Sequence, residues 1–430
     1  MKDSELNIGL MQLVFPIMKT VDMMSPALAS HHLDVAYLAL RIGEEAGLPE
    51  DDIRTVVLAG LMHDIGAFSL DERLDILEFE YLQPERHCNA GYELLRQFEP
   101  FAQAAGIIRF HHTRWDNGEG GQHGGIDVPL GSHILHLADR IAVLVPKNIH
   151  ALSKVAEICK KIQDLRGSWF HPEMTDAALA LARRDHIWLD IVSHAVERPL
   201  TECFEGSQRL ATLDELLSFG ELVCQLIDFR SPFTATHTSG LAAAASALAE
   251  RLEFEESQQK LLKLAAYFHD LGKLAVPTEV LEKVGQFTDD EWHTMRAHVY
   301  YTFRALSSLP ALDKLTSWSA LHQERLDGSG YPFGYTANRL PLGARVLAVA
   351  DVFVAITEDR PYRDGMSEQE ARAVLANMAA RRQLDPDIVR VLFDDFSVIN
   401  AIRDEAQDKA RAAFQRFREN LSDYTQNGRG

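Results

Sequence analysis

The sequence predicts an all-α fold built as two tandem helical domains. Three observations carry this. Apolar residues recur at helical spacing, alternating strand patterns of useful length are scarce, and one set of histidines and aspartates occurs twice at matching intervals. The chain has 430 residues, 46% of them hydrophobic and 25% charged. That balance describes ordinary globular domains with sizeable cores and excludes a disordered chain.

Along the chain, the apolar stretch Ile8 to Met18 contains Gln12 and Pro16. It is too short to span a bilayer and lacks a basic leader, so it reads as a first helix packed on the protein. Glycine and proline cluster at Asn117 to Pro129 and again at Gly328 to Pro341, marking two long loops. Thr238 to Leu252 is alanine-rich and helix-favouring. Ser257 to Leu271 places Leu261, Leu262, Leu264, Ala265 and Phe268 on one helical stripe. The tail from Asn400 to Leu421 mixes Arg, Glu, Asp and Ala and reads as a solvated terminal helix. These signals divide the chain into a first domain over 1–200, a linker over 201–213, a second domain over 214–400 and a helical tail over 401–430.

The formal charge of −20 argues against binding a nucleic-acid polymer, which wants a basic face. A phosphate-bearing ligand would need local cations or metal ions. Cys88, Cys159, Cys203 and Cys224 show no C-x-x-C pairing, so reduced thiols and a cytoplasmic protein are expected, with no membrane partner.

The duplication involves residues that bind metals. In the second half they run His237, His269-Asp270, His298, His322, Asp351; in the first, His31, His63-Asp64, His87, His111-His112, Asp139. The first His stands 32 residues before the His-Asp pair in both halves, and the third stands 24 before the fourth in both. The last leg is 29 residues against 28, and only the leg after the His-Asp pair differs by more than one residue, 29 against 24, as a loop deletion would produce. Flanking text agrees, since Pro341-Leu342-Gly343 mirrors Pro129-Leu130-Gly131. A lone His-Asp dipeptide is a weak signal, and an isolated buried histidine is usually just packed. Two sets at matching intervals are hard to obtain from core histidines.

Imidazoles and carboxylates are ligands of borderline and hard divalent metals. Two such ions can activate a bridging water and clamp phosphoryl oxygens. No thiolate stands in either set, which disfavours a structural zinc cage and suits iron or manganese.

Two further stretches, His269-Asp270-Leu271-Gly272-Lys273 and His322-Gln323-Glu324 running into Gly328-Ser329-Gly330-Tyr331-Pro332, resemble the signature of HD-GYP phosphodiesterases. The resemblance spans roughly residues 229–396 and extends to Gly285-Gln286-Phe287-Thr288, Val349-Ala350-Asp351 and Asp359-Arg360-Pro361-Tyr362-Arg363. It implies two HD-type helical-bundle domains, the second an HD-GYP domain with two divalent ions, iron or manganese. By position, His237, His269, Asp270, His298, His322 and Asp351 match the family's metal ligands, and Asp270 is catalytic with Lys273. Lys273 matches the residue that contacts the scissile phosphate, Arg360 and Arg363 match substrate-phosphate contacts, and Tyr331 shapes the pocket entrance. The implied substrate is a 3′,5′-cyclic dinucleotide, cyclic di-GMP or cyclic GMP-AMP, cleaved to a linear dinucleotide or mononucleotides. A homodimer is compatible with this reading.

Three departures stand out. Gln323 replaces a second adjacent histidine, which weakens one metal. Phe233 replaces a glutamate that serves a third metal in some members, and Val354 replaces an aspartate. The first half keeps its full set, His31, His63, Asp64, His87, His111, His112 and Asp139. However, Ala67 stands where the second half has Lys273, and Asp116 to Gly121 replaces the Gly-Tyr-Pro loop. The first domain is therefore expected to bind metal or ligand without turnover, in a regulatory or structural role. Two other readings follow from the same residues: a silent cyclic-dinucleotide receptor whose centre Gln323 has broken, and an oxidative di-iron enzyme. The arginines Arg360 and Arg363 argue against the latter.

Overall fold

A computed structural model describes residues 8–80, 85–146, 151–206, 210–231, 235–359 and 364–427, with side chains through 424. Helices dominate, as expected; among the described residues the only paired strands are the two-residue segments Gln122–His123 and Ile126–Asp127. They lie within the first expected loop, after the 3-10 turn Asp116–Gly121. The second loop carries the 3-10 turn Ala337–Arg339 and a single bridge between Asp327 and Thr336.

The chain divides into two compact units. One, called here the first unit, comprises Ser25–Gln208 with Glu419–Gly430; the second comprises Met1–Met24 with Arg209–Arg418. The opening helix, Leu10–Asp22, packs in the second unit against Leu271–Ala275 and Asp289–Ser307. It buries Leu13, Val14, Ile17, Met18 and Val21, which an amphipathic reading of its apolar stretch requires.

In each unit the helix that begins with the first histidine is the packing centre. His237–Arg251 lies against Glu256–Phe268 and Leu342–Thr357 in the second unit; His31–Glu45 lies against Glu50–Met62 and Leu130–Leu144 in the first. The alanines expected to favour a helix at 238–252 allow this close approach: Ala242, Ala244, Ala245, Ala247 and Ala249 are all buried. Capping boxes fix the helix starts at Thr212 with Glu215, Thr288 with Glu291 and Ser367 with Glu370, each cap stabilising by about 1 kcal/mol.

The tail differs from its expectation. The helix Phe396–Asn427 is longer than 400–421 and is not wholly solvated. Ile399, Arg403, Gln407 and Phe417 are buried, because a helical stripe of the tail packs onto the second unit. Asn420 and Tyr424 belong to the first unit, where both donate to the buried Glu93 carboxylate at 2.7 Å.

Candidate metal centres

The repeated set comes from helix ends and from helix interiors, so several helices converge on one point per unit. His237 and His31 are the first residues of their helices, and His269 and His63 are the residues just past theirs. His298 and His87 lie within Asp289–Ser307 and Glu85–Leu95. Asp351 and Asp139 lie within Leu342–Thr357 and Leu130–Leu144. Gly272 and Gly66 hold equivalent places in this convergence. A Cβ on Gly272 would fall 1.9 Å from the His298 carbonyl oxygen, and one on Gly66 would fall 2.2 Å from that of His87. Only glycine lets the turn after the His-Asp pair pass the helix of the third histidine.

A shared bond pattern sets the imidazoles. His269, His298 and His322 each place Nδ1 on the carbonyl three residues back, of Ala266, Met295 and Ser319, and His63 and His111 do the same with Gly60 and Ile108. With Nδ1–H donated to a carbonyl, Nε2 presents a lone pair to the centre, the usual arrangement for a metal-binding histidine.

In the second unit the set forms two groups whose ligand atoms lie within 4.8 Å of one another: His237, His269 and Asp270, then Asp270, His298 and His322. Asp270 belongs to both, the position of a bridging carboxylate. Its Oδ1 is 3.1 Å from His298 Nε2, and its Oδ2 is 2.9 Å from His269 Nε2 and 2.6 Å from Lys273 Nζ. Asp351 Oδ1 meets His237 Nε2 at 3.2 Å, and its Oδ2 accepts the Gln323 side-chain amide at 2.8 Å. His298 Nε2 and His322 Nε2 are buried without a hydrogen-bond partner. Buried acceptors aimed at carboxylates and lacking partners fit a divalent metal, which would satisfy them.

Charge at the site points the same way. Burial alone would raise the Asp270 carboxyl, but His269 and Lys273 outweigh it and hold it well below its ordinary value. Burial also opposes charge on His237, yet the Glu358 and Asp351 carboxylates push it up to about 10. Burial works against the Lys273 ammonium as well, and Asp270 raises it above its ordinary value, so it stays charged at neutral pH.

Tyr331 is brought to the same mouth. Its N–H donates to the Gln323 carbonyl at 3.3 Å, its ring stands edge-on to Trp292, and the Arg296 guanidinium lies 4.6 Å from the ring centroid. Arg360, Arg363 and Phe233 lie outside the described residues.

Several residues at the site escaped the sequence reading. Glu358 is 3% exposed and accepts from His237 Nδ1 at 3.2 Å; it directly precedes the Asp359-Arg360 motif. Glu324 clamps the Gly-Tyr-Pro loop by accepting the N–H groups of Phe333 and Tyr335 at 2.7 and 2.9 Å. Arg230 donates to the carbonyls of Lys273 and Val276 at 2.7 and 2.9 Å. Glu358 and Arg230 have no local signal, because each acts across tens of residues of chain, whereas Glu324 stands in the motif and only its bonds needed the fold.

The first unit gathers its set around Asp64, whose oxygens stand 3.1 Å from His63 Nε2, 3.4 Å from His87 Nε2, 3.6 Å from His31 Nε2 and 3.7 Å from His111 Nε2. Asp139 is 3.6 Å from His31 Nε2 and 4.0 Å from His112 Nδ1. Its Oδ2 is occupied by Arg140, at 2.6 and 3.1 Å. Arg140 is 1% exposed and also donates to the carbonyls of Ile76, Glu78 and Phe79. One sequence expectation is corrected here. A thiol does stand in this set: Cys88 Sγ lies 3.6 Å from His87 Nε2 and 3.4 Å from His111 Nδ1. It follows His87 on the same helical turn, and no C-x-x-C spacing announces it.

Comparison with known proteins agrees with this duplication. Models of the HD domain match residues 28–144 and 221–388. The chain is 30% identical over 402 residues to the 3′3′-cGAMP-specific phosphodiesterase 1 of Vibrio cholerae, covering 90% of this chain and 92% of that protein. It is 38% identical over 159 residues to the cyclic di-GMP phosphodiesterase PA4108 of Pseudomonas aeruginosa, covering 37% of this chain and 38% of that one. Among solved structures, a cyclic GMP-AMP specific phosphodiesterase of V. cholerae (V-cGAP3) shares the fold, with a TM-score of 0.63 at 22% identity, covering 90% of this chain and 98% of that one. Among the described residues no helix is long and apolar enough to cross a membrane.

Proposed function

The chain belongs to the tandem HD plus HD-GYP family of cyclic-dinucleotide phosphodiesterases, and from that premise we propose that its second half, residues 214–400, hydrolyses a 3′,5′-cyclic dinucleotide. The substrate is cyclic GMP-AMP or cyclic di-GMP, and the first product is the linear dinucleotide. The observation that carries this reading is the meeting of Lys273 with Asp270: Nζ stands 2.6 Å from a carboxylate shared by both metal-type groups.

His237, His269, Asp270, His298, His322 and Asp351 are the proposed ligands of two divalent ions, iron or manganese by their all nitrogen and oxygen donor set. Such ions supply an activated water and neutralise phosphoryl charge when bound. The residues of the chain do the rest. The carbonyls of Ala266, Met295 and Ser319 hold the imidazoles of His269, His298 and His322 in one tautomer and orientation. Lys273 supplies a fixed positive charge where phosphoryl oxygens gain charge on the way to the transition state. Asp270 orients Lys273 while facing the metal site. Tyr331, backed by Arg296 and Trp292, walls the mouth, and Arg360 with Arg363 provides the phosphate contacts that an acidic protein otherwise lacks.

The first unit, on this reading, holds metal through His31, His63, Asp64, His87, His111, His112 and Asp139 without turning over nucleotide. Ala67 offers no ammonium, and Arg140 diverts Asp139. The silent-receptor alternative is not favoured, because Gln323 leaves the six-residue set intact and hydrogen-bonds Asp351.

The test is metal analysis of anaerobically purified protein with product analysis on cyclic di-GMP and cyclic GMP-AMP side by side. Linear dinucleotide from either substrate, dependent on iron or manganese, is expected. Recovery of both nucleotides unchanged from the metal-loaded protein would overturn the assignment.

A further inference from the structure

We propose that Cys88 is a metal ligand of the first unit, forming with His87, His111 and His112 a closed, thiolate-containing site for a zinc-type ion. It rests on the reading that this unit holds metal, and it changes which metal and which ligands.

Spacing is the first observation. His87 Nε2 and His111 Nε2 are 3.4 Å apart, and Cys88 Sγ is 3.6 Å from His87 Nε2. A tetrahedral ion with bonds of about 2.0–2.1 Å to nitrogen and about 2.3 Å to sulfur sets nitrogen–nitrogen edges of about 3.3–3.4 Å and nitrogen–sulfur edges of about 3.6 Å. Both measured distances match those edges. One ligand atom from each of His87, Cys88, His111 and His112 lies within 4.8 Å of the others.

An independent observation is His112. Its side chain is 7% exposed, and its Nε2 is buried without a hydrogen-bond partner. His111 donates Nδ1–H to the Ile108 carbonyl at 2.7 Å, which leaves its Nε2 lone pair facing His87. A bound ion would satisfy the orphaned nitrogen of His112 and separate the two facing nitrogens of His87 and His111.

Comparison of the two halves supplies the third. The second unit has Val299 where the first has Cys88, and Gln323 where the first has His112. These are two of the four proposed ligands, so the site cannot form there. Conversely, Arg140 occupies Asp139 in the first unit, and the corresponding residue of the second is Val352. The first unit keeps Asp64, 3.4 Å from His87 Nε2 and 3.7 Å from His111 Nε2, and adds a thiol and an imidazole beside them. His87 and His111 are fully buried and Cys88 is 2% exposed. Four protein ligands with no open position make a structural rather than a hydrolytic site, and the thiolate selects zinc over the harder ions suited to the second unit.

The experiment uses the full chain carrying His269→Ala and Asp270→Ala, which removes the second unit's ligands. Loaded anaerobically with cobalt(II), it should retain the ion and show near-ultraviolet thiolate-to-cobalt charge transfer. That band should vanish on adding Cys88→Ser and survive Cys159→Ser and Cys203→Ser. Loaded with zinc, X-ray absorption of the same parent should show a sulfur neighbour at about 2.3 Å; this reading decides the matter alone if the Cys88 variant does not fold. Cobalt or zinc held only by nitrogen and oxygen overturns the thiolate site and leaves metal binding by the first unit standing. A parent that retains no metal overturns both. A charge-transfer band that persists in the Cys88→Ser chain also overturns the proposal.

Discussion

Gln323 donates its side-chain amide to Asp351 Oδ2 at 2.8 Å, while Asp351 Oδ1 faces His237 Nε2 at 3.2 Å. The residue that departs from the family's paired histidines is therefore placed to orient a proposed ligand. Removing such a partner typically costs about 10–100-fold in metal affinity. Gln323→Ala should lower iron or manganese affinity of the second unit by that factor, read by metal titration. Gln323→His should restore or exceed wild-type occupancy, and equal affinity in all three proteins would show that the bond to Asp351 is idle.

Lys273→Ala should keep metal and lose hydrolysis. Removing one fixed charge or donor at a developing oxyanion costs about 10²–10³-fold in kcat. Metal content measured beside initial rates separates this from loss of the centre; near-wild-type kcat would remove Lys273 from the chemistry.

The paired change His269→Ala with Asp270→Ala takes away two proposed ligands, one of them the carboxylate common to both groups. All turnover should go, and metal content should fall by the second unit's share while the first unit keeps its own. Retention of the full metal content would place the ions elsewhere.

Arg230 acts through the turn that carries Lys273, donating to the Lys273 and Val276 carbonyls and to Thr278 Oγ1 at 3.2 Å. It is a positioning residue. Arg230→Lys keeps the charge but loses the fork that spans two carbonyls. Its kcat should fall by about tenfold or more, as small misplacements of reacting groups do, with metal content and KM nearly unchanged. A change in KM alone would point to substrate binding instead.

Asp228 gives a pH signature in the metal-free protein. It accepts the Thr238 N–H and hydroxyl at 3.2 and 3.0 Å, and burial pushes its carboxyl up to about 6 against the pull of His237 and Lys273. Its proton is held more tightly in the folded state than in the unfolded chain. The stabilisation is thus fully present below pH about 4 and lost as pH rises through about 6. Asp228→Asn removes this dependence, so wild type should lose up to roughly 3 kcal/mol relative to the variant between pH about 4 and 7. Denaturant unfolding across that range measures it, and a constant difference would mean that Asp228 does not titrate there.

Much of this was legible in order along the chain. Spacing alone paired His237 with His31 and Asp351 with Asp139, because ligands that must meet at one point fix the lengths of the helices between them. Gly272 was legible as part of the motif, though the reason for it and for Gly66, a carbonyl oxygen that a Cβ would meet at 1.9 or 2.2 Å, is a tertiary one. Cys88 was not legible as part of the set. Its neighbour His87 looked sufficient, and no cysteine spacing drew attention to it.

The sequence by itself determined the helical class, the duplication, the candidate ligand set of each half and the lysine that distinguishes them. These are matters of local periodicity and residue type, which survive without a third dimension. The tertiary structure decided which carboxylate is shared, what Gln323 does in place of a histidine, and that Arg140 occupies Asp139 while Cys88 stands beside His87 and His111. Those relationships join residues far apart in the chain. Only the convergence of several helices in a buried interior, where an unpaired polar atom is costly, selects them.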